Sequence, residues 1–168
     1  WLEQSLRFHL QNHREQLQQL ASELSEEPRS SEQTSLFRLR AAHFLKNNPD
    51  IARLGWLDAT AENIITLPAH RPQSANSPQA QLLHDSFDIA RRLGKAVYSP
   101  PYLNAPLEGQ IHLLLPIYRH DQLIGMLQIT YRLNALLSNQ IPWWFTEKYK
   151  VEIVDDNDQV LASKTHIE

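Results

Sequence analysis

His9 and His13 stand four residues apart in a leucine-rich segment. One helical turn separates them, a spacing that can bring two imidazoles onto one metal ion. No Glu follows the first histidine as in H-E-x-x-H, and no third ligand is evident in the sequence. The pattern therefore predicts one seam histidine and one surface histidine, and no metal site. Asp155-Asp156-Asn157-Asp158-Gln159 has the polar density of a calcium loop but lacks the glycine and distal Glu of an EF-hand, so it predicts a β-turn. Serine, histidine and aspartate are plentiful, with Asp58 and Asp85 available, yet there is no G-x-S-x-G elbow and no readable triad spacing. No catalytic residue is assigned. Cysteine is absent and glycine occurs four times, which removes thiolate chemistry and leaves phosphate-cradling loops without material. No cofactor is implied.

The chain has 168 residues, with 16 Lys+Arg against 19 Asp+Glu and a net charge of −3. A phosphate backbone would find no basic surplus, so no nucleic-acid partner is expected. No apolar run reaches the ~18 residues that a membrane span requires.

The elements that must position any site can be read from periodicity. Leu2, Leu6, Leu10, His13, Leu17, Leu20 and Leu24 form a stripe near a 3.5-residue period. It serves either an ordinary helix packed on its own core or a dimerising signal helix. No N-cap precedes it, so the helix is expected to continue upstream. A second helix is expected over Ser35–Lys46, with Leu36, Leu39, Ala42, His43 and Lys46 on one side and Phe37 and Phe44 widening it. From Ile51 the period becomes two. Strands are expected at 51–58 and 64–67, then a polar loop at 72–78 that could act as a lid. A helix over 79–94 is closed by Gly94, and Val97-Tyr98 forms a short strand. A hairpin of Ile111–Tyr118 and Leu123–Arg132 turns at residues 119–122. A short helical turn follows at 134–139. The predicted class is α+β: a five-stranded antiparallel sheet with a long N-terminal helix.

Residues 149–164 echo the first hairpin. Trp56-Leu57-Asp58, a polar turn and Ile64-Ile65-Thr66 match Ile153-Val154-Asp155, a polar turn and Val160-Leu161-Ala162. The echo implies that a second, similar module opens near Trp143.

Tyr98-Ser99-Pro100-Pro101-Tyr102-Leu103-Asn104, the strand Ile111–Ile117 broken by Pro116, and Leu123-Ile124-Gly125-Met126-Leu127-Gln128-Ile129 together resemble the Cache family. These are PAS-like extracytoplasmic sensor domains of bacterial histidine kinases, chemoreceptors and diguanylate cyclases. Leu54-Gly55-Trp56-Leu57-Asp58 is similar to the family's first strand, and the resemblance covers about residues 35–135. It implies residues 1–27 as the long helix, 28–141 as a membrane-distal sensor module and 142–168 as the start of a second. It also implies a periplasmic domain of a membrane-anchored receptor, a histidine kinase first among the outputs. A small-molecule ligand, unidentified, would shift the N-terminal helix, which could also carry a homodimer. The amino-acid-sensing branch has a Tyr, Arg, Trp-Tyr cluster where this chain reads Asp88–Lys95, and an amine-binding Asp where it has Thr130. An amino-acid ligand is therefore not implied. Arg91, Arg92 or Arg71 could grip a carboxylate, although surface roles are the default for all three.

An even-numbered hairpin turn would put Ile111, Leu113, Met126, Gln128 and Thr130 on one face, with His112, Leu114, Tyr118, Leu127 and Ile129 on the other. One extra residue would change the pairing. The face carrying Thr130 is the expected pocket side. The expected ligand-binding set is Trp56, His70, Arg71, Tyr98, Tyr102, Gln128 and Thr130. His112 is expected as a hydrogen-bonded core histidine, with pH sensing as its other reading. The competing functional reading is a cytoplasmic PAS- or GAF-like module for cofactor binding or dimerisation, and a pure assembly domain also fits.

Overall fold

The structure is a computed structural model and describes residues 1–26, 31–69, 77–104 and 108–164. Its first element, α1 (Leu2–Ser25), buries His13, Leu17, Leu20, Ala21 and Leu24, while Leu2, Leu6 and Leu10 pack against the same core. The leucine stripe is thus spent on the chain's own sheet. The core-packing reading of the seam accounts for these contacts. Helix α2 (Ser31–Asn47) begins earlier than expected and buries Gln33, Phe37 and Ala41. Leu39, expected on the buried side, is 70% exposed. The second helix turns its Phe37 stripe inward because Phe37 packs on Trp56 at 5.8 Å between ring centres.

The strands are β1 (Ile51–Asp58), β2 (Asn63–Leu67), β3 (Val97–Tyr98), β4 (Tyr102–Asn104), β5 (Glu108–Arg119) and β6 (Gln122–Arg132). All pairs are antiparallel, in the order β2-β1-β6-β5-β3, with β4 also paired to β5. The sheet has six strands rather than five because β3 and β4 share one edge of β5, separated by Pro100 and Pro101, which cannot donate to a ladder. Between β2 and β3 lies α3 (Pro78–Leu93). Ser77 caps it by accepting the Ala80 N–H, and Gly94 ends it at φ 67°, donating to Ala90 O.

One sheet face carries Leu54, Trp56, Ile65, Leu113, Leu115, Ile117, Leu127, Ile129 and Tyr131, and is sealed by α1 and α2. On the other face, Leu57, Leu114 and Met126 pack under Phe87 and Ala90 of α3. The register decides which residues share these faces. His120 and Asp121 both have positive φ and make a two-residue turn. A bulge between Ile117 and Tyr118 then leaves Ile124 without a partner, so His112 pairs Thr130 and Leu114 pairs Gln128. The expected faces are corrected by this one residue: His112 and Leu114, not Ile111 and Leu113, join Met126, Gln128 and Thr130.

The chain continues through α4 (Leu133–Gln140) and α5 (Trp143–Thr146) into β7 (Val151–Val154) and β8 (Val160–Lys164), a separate two-stranded sheet. Leu161 and Ala162 are buried in the main core, and Lys164 Nζ donates to Ser138 O and Ile141 O of the α4 end.

Candidate functional site

Strand β1 alternates, and that alternation builds one wall of a cavity. Trp56 and Leu54 point to α1 and α2, while Arg53, Gly55 and Leu57 point to the other side. Opposite them in register stand Thr130, Gln128 and Met126 of β6. Gly55 has no side chain, and Thr66 Oγ1 lies 3.0 Å from where its Cβ would be, so the glycine opens the middle of the wall. The resulting cavity has a volume of about 410 Å³. Thr66 and Asn63 of β2, Tyr102 of β4 and His112 of β5 also line it, and the first turns of α3 close it with Gln79, Ala80 and Leu83. The size and the mix of apolar wall with a few convergent polar groups suit a small molecule.

The polar groups form a directed chain. Tyr102 donates its hydroxyl hydrogen to Gln110 Oε1 at 2.9 Å. It therefore accepts from His112 Nε2–H at 2.9 Å. His112 Nδ1 then accepts from the Thr130 hydroxyl, also at 2.9 Å. Burial, with the Arg53 guanidinium nearby, pushes His112 down to about 4, so the imidazole is neutral around pH 7. Burial raises the Tyr102 phenol, against a smaller opposing pull from Arg53. Asn63 Oδ1 accepts from Thr66 Oγ1 at 2.7 Å, which leaves the amide NH₂ able to donate. Arg53 is half-buried and has no carboxylate partner among the described residues. No Asp or Glu stands among the described lining residues. Among the described residues the chemistry on offer is one cation, amide and hydroxyl groups, and no anion to hold an ammonium.

Of the residues expected at a ligand site, Tyr102, Gln128 and Thr130 line this cavity. Trp56 and Tyr98 do not, and that part of the expectation is corrected. Trp56 is 4% exposed against Phe37, and Tyr98 pairs with Leu113 on the α1 face. Both were misplaced because an aromatic in a strand signals burial but not which face is buried. His70 and Arg71 lie outside the described residues. Arg91 and Arg92 sit in the last turn of α3, exposed, at the end away from the cavity. Sequence reasoning missed Arg53, Gly55, Asn63 and Thr66. An arginine and a glycine two apart inside an otherwise apolar strand were the available signal.

The histidine pair is also joined by a residue the sequence did not indicate. Asp50, at the entry to β1, accepts from His9 Nε2 at 2.8 Å. His13 Nε2 meets Asn48 Oδ1 at 2.8 Å and its Nδ1 meets the Tyr131 hydroxyl at 3.0 Å.

An antiparallel sheet sealed by a long N-terminal helix on one face, with a polar cavity under a shorter helix on the other, is a PAS-like α+β fold with room for a small molecule. No protein-family profile matches the chain. It is 28% identical over 164 residues, 98% of its length, to the C4-dicarboxylate transport sensor protein DctS of Rhodobacter capsulatus. The chain spans 22% of that protein. Among solved structures it resembles the ligand-binding domain of the Pseudomonas aeruginosa amino-acid chemoreceptor PctC in complex with GABA. There the TM-score is 0.66 at 16% identity, covering 96% of this chain and 70% of that one. It also resembles the ligand-binding domain of the Pseudomonas fluorescens chemoreceptor CtaA in complex with L-alanine. There the TM-score is 0.68 at 14% identity, covering 96% of this chain and 66% of that one. The chain shares the fold of these chemoreceptor ligand-binding domains.

Proposed function

We propose that the ligand is a small carboxylate, of the dicarboxylic-acid class, bound in the cavity between β1, β6 and α3. The observation that carries this is Arg53: a half-buried guanidinium lining a cavity whose described walls hold no acid to neutralise it. A carboxylate would complete that charge, and bidentate pairing is the geometry a guanidinium favours. The N-terminal turn of α3 faces the same space, and its positive end adds to the preference for an anion. The Gln128 side chain, with no hydrogen-bond partner among the described residues, and the Asn63 amide supply donors for further ligand oxygens. The name of the DctS relative supports the dicarboxylate class. An amino acid fits less well, because its ammonium would find no carboxylate on the described walls.

The wider assignment follows the same line. The domain lies in the periplasm, the parent is a membrane-anchored sensor histidine kinase, and ligand occupancy passes to its output through α1. Ligand shifts that equilibrium only through a difference in affinity between two arrangements of the helix and sheet. Among the described residues no helix is long and apolar enough to cross a membrane. A homodimer through α1 would use a face other than the leucine stripe, and Phe8, 68% exposed, lies on such a face.

Residues 142–168 open a second module. The β7–β8 hairpin supports this by reproducing β1–β2 pair for pair: Trp56↔Ile65 and Leu57↔Asn63 correspond to Ile153↔Ala162 and Val154↔Val160, with the register shift at the same step. Asp58 Oδ1 accepts from the Thr60 and Glu62 amides, as Asp155 Oδ1 does from Asn157 and Gln159. Ala61 and Asp158 hold the same positive-φ position.

Calorimetric titration with succinate, malate and fumarate, beside alanine, glutamine and γ-aminobutyrate, tests the ligand class. Saturable binding of a dicarboxylate that is lost in Arg53→Ala is expected. Binding of the amino acids with the dicarboxylates inert would refute it.

A further inference from the structure

We propose that His9, His13 and Asp50 form a binding site for a late first-row divalent cation of the Zn²⁺ type, separate from the ligand cavity. The ligand atoms of the three side chains all lie within 4.8 Å of one another. Two atoms each bound at about 2.1 Å to one ion sit roughly 3.4 Å apart in a tetrahedron, so side-chain shifts of about an ångström close the site. Two imidazoles and one carboxylate are a donor set suited to zinc, cobalt and nickel rather than to calcium or magnesium. The backbone fixes their positions. His9 and His13 are successive turns of α1, with rings 4.2 Å apart, and Asp50 stands where the chain leaves α2 for β1.

The surroundings favour ligation. Asp50 is 1% exposed and His13 3%, while the His9 side chain is 23% exposed and leaves an approach for the ion and a bound water. Asn48 Nδ2 donates to Phe44 O at 2.8 Å, which fixes the amide so that its Oδ1 accepts from His13 Nε2–H. That contact is the outer support that orients a metal-bound imidazole. It also leaves the His13 lone pair on Nδ1, where the Tyr131 hydroxyl now donates to it. An ion at Nδ1 would displace the Tyr131 hydroxyl, releasing His13 from β6 and joining it with His9 to Asp50 at the start of β1. Tyr131 follows Thr130 directly, so the metal would act on the strand that lines the ligand cavity, from its opposite face.

Titration of the 168-residue chain with Zn²⁺ alone, followed by calorimetry, and with Co²⁺, followed by its visible absorption, tests the site. One equivalent should bind, with d–d bands of a low-coordinate Co²⁺. His9→Gln and Asp50→Asn should each weaken binding by about tenfold or more, and Tyr131→Phe, which removes the competing donor, should bind at least as tightly as the parent. His84→Gln, a histidine outside the site, should change nothing. If Asp50→Asn fails to fold, His9→Gln, a partly exposed position, decides alone. Absence of saturable binding, or a His9→Gln chain that binds as the parent does, would overturn the assignment and leave the trio as a hydrogen-bonded bracket.

Discussion

His112 offers a test in which the cavity's electrostatics set a measurable slope. Its ordinary value is 6.5, and in the folded chain burial first and Arg53 second depress it to about 4. As pH falls through 6.5 the unfolded chain takes up this proton and the folded chain does not. The contribution to stability is therefore complete above about 6.5, declines as pH falls toward 4, and changes no further below that. At about 1.4 kcal/mol per pH unit, the gap amounts to about 3 kcal/mol lost across the window. The perturbation is His112→Gln, which has no titrating group. Carboxylates and His13, whose value is also lowered, act in both chains and cancel in the difference. Urea unfolding at pH 7, 6, 5 and 4 should show parent and variant drawing together, or crossing, by about 3 kcal/mol in favour of the variant as pH falls. Parallel pH profiles would refute the buried, neutral imidazole and with it the directed chain from Thr130 to Gln110. Because Arg53 is a named cause, Arg53→Ala should raise the His112 value, read from its imidazole resonances by NMR.

Other outcomes follow from the same geometry. Arg53→Ala should cost about 2 kcal/mol or more of dicarboxylate binding while leaving the fold intact, since the residue is half-buried and makes no ion pair among the described residues. Thr130→Asp would set a carboxylate beside the proposed anion site, in register with Arg53, and should abolish dicarboxylate binding in the same titration. Phe37→Ala should destabilise by about 3–5 kcal/mol in denaturant unfolding, because the ring is fully buried against Trp56. Leu39→Gln, two residues on, should stay within about 0.5 kcal/mol, because that side chain stands in solvent.

The sequence by itself determined the order and type of the elements, apart from the short β4 and α5. Local signals suffice for that: the leucine period of α1, the Gly94 cap of α3, the change to period two at Ile51 and the polar turns at Asp58 and Asp155 are all written within a few residues. The class, α+β with an antiparallel sheet behind a long helix, followed from that order, and so did the repeated hairpin. What only the tertiary structure decided was which side of each strand faces which layer. A strand's faces exchange when register slips by one residue, and here a single unpaired residue, Ile124, moved His112 to the cavity side and Leu113 away from it. Trp56 and Tyr98 went to the helix face because an aromatic in a strand signals burial without the side, and Arg53 came to the cavity. The third member of the histidine cluster was out of reach of any spacing rule. Asp50 lies 41 positions from His9 in the chain, and only the packing of α1 across the mouth of β1 brings the two to 2.8 Å.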